Sequence, residues 1–367
     1  MHLRYGIVGL PNVGKSTLFN ALMASQNAEA ANYPFCTIEP NVGTVIVPDP
    51  RLDFLGSLYK SPKVIPCTIE FVDIAGLVQG ASKGEGLGNQ FLAHIRDVDA
   101  IIHLVRCFED KNVSHISDEI NPKKDIEIVE TELILKDIET VDKLLAKISK
   151  AMRTGDKKLK SEYELLEALK LHLGSSRIAK YFEINLNDAQ KFLLKNYFLL
   201  TDKPVLYVAN VDDNHIHGND YSEIVKSYAE KEGAKSLILS AEVESEISLL
   251  ESAEEKLEFL NVLDLKESGL NRLVREGYKL LDLITFFTHN DKEVRSWTVK
   301  HGTKAPQAAG VIHTDFEKGF IRAEVINYKD LFEFKSDHKV REHGLLHVHG
   351  KDYIVEDADI IYFRFNI

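Results

Sequence analysis

An eight-residue segment near the N-terminus has the residue types and spacing of a phosphate-binding loop. Residues 9–16 read G-L-P-N-V-G-K-S and fit the pattern G-x-x-x-x-G-K-S. Gly9 and Gly14 permit tight backbone turns, so that successive N–H groups face an anion. Lys15 would offset charge on the β- and γ-phosphates, and Ser16 would supply an oxygen ligand to Mg²⁺. The loop predicts a nucleoside triphosphate site with Mg²⁺ as cofactor.

Two further segments carry groups that could respond to the γ-phosphate. Asp73 and Gly76 form a D-x-x-G pattern after an apolar run. We expect the Asp73 carboxylate to hold the metal through water and the Gly76 amide to reach the γ-phosphate. Thr37 lies in a segment without helical period, and its hydroxyl would complete the Mg²⁺ shell when triphosphate is bound. A threonine in such a segment is also common without any metal role.

The residues after another apolar run bear on the choice of base. Residues 210–213 read N-V-D-D, where guanine-specific proteins have N-K-x-D and the aspartate grips guanine. Val211 replaces the lysine and weakens the case for guanine, whereas Asp213 keeps the fourth position and leaves guanine open. Ser240 and Ala241 follow the next apolar run and suit a loop that closes over the base.

These motifs need a parallel sheet to bring them together. Short apolar runs rich in Val and Ile alternate with helical patterns, which predicts a doubly wound α/β fold. The predicted strands are residues 3–8, 69–72, 100–105, 205–209 and 237–239. In such sheets ligands bind outside the carboxyl ends of the strands, where the motifs lie.

Apolar residues at helical spacing between residues 125 and 200 predict an inserted α-helical hairpin. The break at residues 154–156 marks its tip. Six basic residues crowd there: Lys147, Lys150, Arg153, Lys157, Lys158 and Lys160. They are either a solvated end or a contact to RNA phosphate.

The last part of the chain predicts a small separate α+β domain. Its strand patterns are residues 285–287, 296–299, 320–325 and 359–365, and a helix is predicted around residues 305–316. Four histidines also lie here: His338, His343, His347 and His349. They lie among turn and strand patterns without cysteine partners, which favours solvated imidazoles over a metal site.

Composition restricts the partners and the compartment. The net charge of −12 argues against general binding to nucleic acid, so we expect no DNA partner. No apolar run approaches the roughly 20 residues of a membrane helix. Three scattered cysteines without CxxC spacing indicate reduced thiols. The first residues run directly into a strand pattern, which leaves no room for a signal peptide. We expect a cytoplasmic protein without membrane contact.

Taken together, the motifs closely resemble the Obg-like ATPases of the YchF type, a branch of the translation-factor class of P-loop GTPases. The matching segments are residues 9–17, 32–40, 73–77, 80–89, 269–272 and 313–320. The resemblance implies a G domain interrupted by a coiled-coil hairpin and followed by a TGS domain of β-grasp type. We place these parts at residues 1–125 and 201–282 for the G domain, 126–200 for the hairpin and 283–367 for the TGS domain.

The resemblance also assigns roles to residues. Asn12, Val13, Gly14, Lys15, Ser16 and Thr17 would hold phosphates, and Ser16 with Thr37 would ligate Mg²⁺. Asn210 and the Val211 backbone would read adenine. ATP would be preferred over GTP, and the ribosome or its RNA would be a partner. Many members have N-x-x-E in the base loop, so Asp213 is a departure that bears on this preference.

The resemblance also implies a catalytic histidine. Ras-like enzymes orient water with a glutamine just after D-x-x-G, but this chain has Leu77, which cannot form a hydrogen bond through its side chain. The resemblance points to His115 as the replacement, acting beside Lys15, and His94 is a rival. The predicted activity is ATP hydrolysis. The alternatives are a GTPase and a nucleotide-gated ribosome-binding or RNA-binding protein with negligible turnover.

Overall fold

The computed structural model describes residues 3–30, 41–74, 95–110, 119–152, 157–182 and 186–366. These residues form two six-stranded β-sheets with helices packed on them and a pair of long helices beside the first sheet. The predicted fold class, an α/β P-loop domain followed by a smaller sheet domain, is confirmed. No helix within these ranges has the length and hydropathy needed to cross a membrane.

The first sheet has the strand order β2-β4-β1-β5-β6-β7. All neighbours are parallel except β2, which runs antiparallel to β4 at one edge. Its strands are β1 (Arg4–Val8), β2 (Val42–Ile46), β4 (Thr68–Asp73), β5 (Ala100–Arg106), β6 (Val205–Asn210) and β7 (Lys235–Leu239). Every residue of β5 is buried, as expected for a central parallel strand covered on both faces.

Helices cover both faces of this sheet. They are α1 (Lys15–Ala30), α6 (Asp220–Lys231), α7 (Ala241–Leu249), α8 (Ala253–Val262) and α9 (Gly269–Leu280). The five parallel strands agree with the predicted runs to within two residues at each end. The edge strand β2 was not predicted, because its sequence V-G-T-V-I is short and carries a glycine.

The helical insertion consists mainly of α3 (Pro122–Ala151), α4 (Lys157–Gly174) and α5 (Asp188–Asn196). The first half of α3 packs on the first sheet through Val129 and Leu133. Its second half joins a separate apolar cluster with α4, to which Val141 and Leu166 contribute. The polar link is Asp137 of α3, which accepts hydrogen bonds from the backbone N–H groups of Leu200 and Thr201.

The second sheet has the order β11-β10-β12-β8-β9-β3. Its strands are β3 (Lys63–Ile65), β8 (Leu283–His289), β9 (Glu293–Lys300), β10 (Phe320–Asn327), β11 (Leu346–His349) and β12 (Asp359–Phe365). Four short helices accompany it: α10 (Ala305–Ile312), α11 (Thr314–Lys318), α12 (Tyr328–Phe334) and α13 (Asp337–Glu342). The single helix predicted over residues 305–316 is wrong in extent. His313 adopts an extended conformation (φ −159°, ψ 139°) and caps α11, which splits the segment.

One strand of this sheet comes from far upstream. β3 and the helix before it, α2 (Pro50–Leu58), lie between β2 and β4 in the chain, within the residues assigned from sequence to the G domain. β3 nevertheless pairs in parallel with β9 at the edge of the second sheet. A three-residue strand carries too little pattern for its pairing partner to be read from sequence.

Candidate functional site

The turn from β1 into α1 has the backbone geometry of an anion-binding loop. Asn12 and Gly14 have positive φ angles of 60° and 97°, whereas Val13 between them does not. Such alternation of left-handed and right-handed residues points successive N–H groups toward one anion. A side chain at Gly9 would collide with the Leu104 carbonyl oxygen, and one at Gly14 with the Asn210 amide. The first turn of α1 then presents the N–H groups of residues 15–17, which an α-helix cannot satisfy internally. The loop is therefore shaped to receive phosphate.

Lys15 begins α1 and folds back over this loop. Its side-chain Nζ donates to the carbonyl oxygens of Gly9 (3.0 Å) and Leu10 (2.6 Å). Lys15 is only 7% exposed. Burial lowers the pKa of its ammonium group to about 8, although the nearby Asp73 carboxylate opposes this shift. The two carbonyl oxygens carry only partial negative charge. A phosphate anion at the loop would give the Lys15 ammonium group a fully charged partner.

Ser16 and Asp73 meet beside the loop and form the candidate Mg²⁺ site. The Ser16 hydroxyl donates to Asp73 Oδ2 at 3.1 Å. Asp73 Oδ1 is buried and has no hydrogen-bond partner among the described residues. The backbone holds the carboxylate in place, because Asp73 N–H donates to the Asn41 carbonyl oxygen (2.9 Å). A hydroxyl and a carboxylate are hard oxygen donors, and an unpaired buried carboxylate oxygen fits a site for Mg²⁺.

Asn210, at the end of β6, joins the phosphate loop to the next loop of the sheet. Its Nδ2 donates to the Val13 carbonyl oxygen (2.9 Å), and its Oδ1 accepts from the Ala241 N–H (2.9 Å). The residue is 3% exposed. Both ends of one buried amide are therefore used to hold two loops in register. The Nδ2 amino group carries two hydrogens, and only one of them is used in the bond to Val13.

The other residues predicted to contact the base lie around this amide. Val211 is buried in a cluster with Val105 and Ala209, and its N–H donates to the Leu239 carbonyl oxygen (3.0 Å). A backbone contact from Val211 to adenine would therefore use its carbonyl oxygen. Ser240 caps α7 by accepting from the Val243 N–H. Asp213 is exposed, and its Oδ1 accepts from the Asn214 side chain (2.8 Å).

Glu244 joins α7, the helix that Ser240 caps, to the start of α9, and it was not singled out in the sequence. This buried side chain of α7 accepts from the N–H groups of Gly269 (2.6 Å) and Leu270 (3.2 Å) at the start of α9. Burial raises the pKa of the Glu244 carboxyl group, and the two N–H donors oppose the shift. Residues 244 and 269 are distant in sequence, so no local pattern could have revealed the contact.

Several predicted site residues lie outside the described residues. They are Thr37, Gly76 and His115, together with Leu77 and His94. Within the described ranges, the structure brings together Asn12, Val13, Gly14, Lys15, Ser16, Thr17 and Asp73 around one loop. It places Asn210, Val211, Ser240 and Ala241 on the adjoining side of that loop. Their roles toward nucleotide and metal stay predictions.

Comparison with known proteins agrees with this architecture. Residues 4–144 match a family model described as a 50S ribosome-binding GTPase. Residues 283–366 match the model of the YchF GTPase C-terminal region, which is described as a protein of unknown function. The two models therefore cover one segment in each half of the chain.

Similar proteins match along their whole length. A protein of Pasteurella multocida named ribosome-binding ATPase YchF is 51% identical over 367 residues, covering 100% of both chains. One of Bacillus subtilis with the same name is 50% identical over 370 residues, again covering 100% of both. The solved structure of the Schizosaccharomyces pombe YchF GTPase has a TM-score of 0.88 and 38% identity, covering 99% of this chain and 98% of that one. With this similarity in sequence and fold, the chain belongs to the YchF family of P-loop NTPases.

Proposed function

We propose that this protein is a Mg²⁺-dependent ATPase whose nucleotide state controls its association with the ribosome. The observation that supports the nucleotide site most directly is the pairing of Ser16 with Asp73 beside the phosphate loop. Within the described part of the chain, Asp73 Oδ1 is buried and has no hydrogen-bond partner, which suits a metal ligand. Ser16 and Asp73 would hold Mg²⁺, which would supply positive charge to offset the negative charge of the phosphates. Lys15 and the N–H groups at the start of α1 would hold the phosphate oxygens.

The preference for ATP over GTP is part of the proposal. Val211 is buried in the core and occupies the position at which guanine-specific loops carry lysine. The curated relatives of Pasteurella multocida and Bacillus subtilis are named ATPases, which supports the same choice. The exposed carboxylate of Asp213 favours the alternative, a GTPase, because a carboxylate at this position can accept both guanine N–H donors. The Schizosaccharomyces pombe relative is named a GTPase.

Competition between ATP and GTP for the purified protein tests the base preference. We expect ATP to displace a fluorescent nucleotide at lower concentration than GTP, each in excess Mg²⁺. Tighter binding of GTP would reject the ATP assignment. Asp213→Asn is the matched variant for the alternative, because it keeps the size of the side chain but removes its charge. A selective loss of GTP binding in this variant would assign the base contact to Asp213.

Hydrolysis needs a group that orients water, and we propose His115, which lies outside the described residues. Its imidazole would act at neutral pH, where a histidine changes charge most readily. We expect His115→Ala to lower kcat while leaving nucleotide affinity nearly intact, measured by phosphate release and by equilibrium binding. His94→Ala is the control. An unchanged kcat in His115→Ala, or a larger loss in His94→Ala, would exclude this assignment.

Ribosome association, and with it a cytoplasmic location, rests on the names of the relatives and on the basic residues of the helical insertion. Among the described side chains of this region, Lys147, Lys150, Lys158 and Lys160 lie where α3 ends and α4 begins. Co-sedimentation with ribosomes in the presence of ATP, ADP or no nucleotide tests the proposal. We expect binding to differ among these states. If ribosomes bind but phosphate release never exceeds the spontaneous rate, the protein is a nucleotide-gated binding protein rather than an ATPase.

A further inference from the structure

The segment between β2 and β4, residues 47–67, joins two paired strands, and one of these strands, β4, ends at the nucleotide site. We call residues 47–67 the connecting segment. β2 follows, by a few residues in sequence, the segment that contains Thr37. β4 ends at Asp73, whose carboxylate accepts from Ser16 of the phosphate loop. The two strands pair from Val42↔Val72 to Ile46↔Thr68, so they form one antiparallel unit. Movement of this two-stranded unit would therefore displace both ends of the connecting segment, because residue 47 follows β2 and residue 67 precedes β4.

The middle of the connecting segment is part of the second sheet. β3 pairs with β9 in the register Lys63↔Glu293, Val64↔Val294 and Ile65↔Arg295. Leu52 and Leu55 of α2 are buried in one apolar cluster with Phe287 and Val294 of β8 and β9. The C-terminal domain is therefore built from residues 283–366 together with a helix and a strand, α2 and β3, that the chain supplies from between β2 and β4.

Polar contacts fix the same docking. Arg51 Nη1 donates to Asp357 Oδ2 (2.6 Å), and Asp357 Oδ1 accepts from the Thr285 N–H (3.0 Å). The Tyr59 hydroxyl donates to Asp337 Oδ1 (2.7 Å), and its ring stacks on His289 with centroids 3.6 Å apart. These contacts join α2 and Tyr59, the residue that caps its C-terminus, to three separate parts of the C-terminal domain. The helix therefore cannot shift relative to that domain without breaking them.

The connections from this docked part to the first sheet are short. Only Pro66 and Cys67 separate β3 from β4, and three residues separate β2 from α2. Cys67 N–H donates to Ser296 Oγ of β9 (2.7 Å), and the Cys67 carbonyl oxygen accepts from the Val47 N–H (2.9 Å). Two residues span at most about 7 Å when fully extended. The connection therefore has little slack to absorb a displacement of β4.

We propose that the connecting segment couples the nucleotide site to the C-terminal domain, so that occupancy of the site changes the stability of the β3–β9 pairing. Consider a partner that binds the C-terminal domain and alters this pairing. By linkage, the factor by which nucleotide changes the affinity for that partner equals the factor by which the partner changes the affinity for nucleotide. The inference rests on the nucleotide site proposed above. It assigns the C-terminal domain a regulatory input to that site through the backbone of the connecting segment.

Amide hydrogen exchange of the full-length protein, read by mass spectrometry on peptides from β3 and β9, tests the coupling. The probe is a non-hydrolysable ATP analogue with Mg²⁺, compared with Mg²⁺ alone. We expect exchange in these strands to slow by about fivefold, the lower end of the range for coupled sites. Binding of the analogue without any change in β3 or β9 would overturn the coupling alone. A failure of the analogue to bind would instead overturn the proposed nucleotide site.

A slackened connection supplies the matched variant. Two glycines inserted between Ile65 and Pro66 leave both strands intact but lengthen the link, whereas two glycines between Gly350 and Lys351 lengthen an exposed turn of the same domain. We expect the first insertion to abolish the nucleotide effect on β9 while the analogue still binds, and the second to preserve it. Equal effects in both insertion variants would contradict the proposal.

The substitutions Arg51→Ala and Ser296→Ala, combined, test the coupling without changing chain length. They remove the contacts to Asp357 and Cys67. Lys304→Ala, which removes an exposed ion pair with Asp352, is the control. We expect the double variant to lose most of the nucleotide effect on β9 and the control to retain it. A double variant that folds and keeps the full effect would contradict transmission through these contacts.

Discussion

Lys15 carries its charge in a place where water is largely excluded, and its pKa of about 8 reflects that burial. The nucleotide-free ammonium group therefore loses its proton as the pH rises through about 8, a range in which an exposed lysine stays charged. Triphosphate binding favours the charged form and raises this pKa. Binding above pH 8 must therefore take up a proton, and affinity falls with rising pH.

This gives a testable pH dependence. We expect nucleotide affinity to weaken above pH 8 and to approach a loss of about tenfold per pH unit, as for any ligand whose binding needs one additional proton. Equilibrium titrations between pH 7.5 and 9.5 measure it. Lys15→Met should bind more weakly and show a flat profile in this window. The same slope in both proteins would mean that another group is responsible.

Asn210 illustrates a residue whose first task is structural. Its amide holds the carbonyl oxygen of Val13 and the N–H of Ala241, so both loops depend on it. In Asn210→Ala both buried groups lose their partner, which we expect to cost about 2–4 kcal/mol in the free energy of unfolding. Nucleotide affinity should fall with it. Urea unfolding and nucleotide titration measure the two effects.

Asn214→Ala is the control for this prediction. Asn214 lies in the same loop but is exposed, and its side chain donates only to Asp213 among the hydrogen bonds seen there. Its replacement should change the unfolding free energy by less than about 0.5 kcal/mol. Similar losses in the two variants would show that the Asn210 amide does not hold the loops.

At the scale of elements, α3 serves both the first sheet and the helical insertion. Asp137, near its middle, is 1% exposed and accepts from the Thr201 hydroxyl (2.7 Å) as well as from two backbone N–H groups. This carboxylate ties the helix to the chain that enters β6. The long helix is thereby anchored at the point where it leaves the sheet.

Replacing Asp137 tests this anchor. Asp137→Ala leaves a buried hydroxyl and two buried N–H groups without their acceptor, and we expect a loss of about 3–5 kcal/mol in unfolding free energy. Asp142→Ala, on the same helix, removes an exposed ion pair with Lys170 and should cost less than about 1 kcal/mol. Denaturant unfolding compares them. A small loss in Asp137→Ala would contradict the anchor.

At the scale of the whole molecule, the proposed association with the ribosome would require an acidic protein to bind RNA phosphate through a local basic surface. The net charge is −12, so general attraction to phosphate is excluded. The lysines where α3 ends and α4 begins are the candidate contact. Binding through a few lysines predicts a dependence on salt that scales with the number of phosphates contacted.

Charge reversal measures this contact. We expect Lys147→Glu with Lys150→Glu to weaken co-sedimentation with ribosomes and to reduce the slope of log affinity against log salt by about 2. Lys226→Glu with Lys231→Glu, on the exposed side of α6, makes the same charge change elsewhere and should leave the slope unchanged. Equal effects of both pairs would indicate a net-charge effect rather than a contact.

The sequence by itself determined the phosphate loop, the five parallel strands and the order of the two sheet domains. Those features are local: the spacing of Gly9, Gly14 and Lys15 is set within one turn, and each buried strand appears as one apolar run. The family could be named for the same reason, because its motifs are short contiguous segments. The break at His313 was missed, since apolar periodicity continues across it.

Only the tertiary structure decided which distant residues share a contact. Glu244 with the start of α9, Asp137 with Leu200 and Thr201, and β3 with β9 each join positions far apart in the chain. Such pairings depend on how layers of the fold meet, and a short strand or a single carboxylate carries no periodic signal of its partner. The connecting segment is the clearest case, because its sequence neighbours lie in the first sheet while its strand belongs to the second.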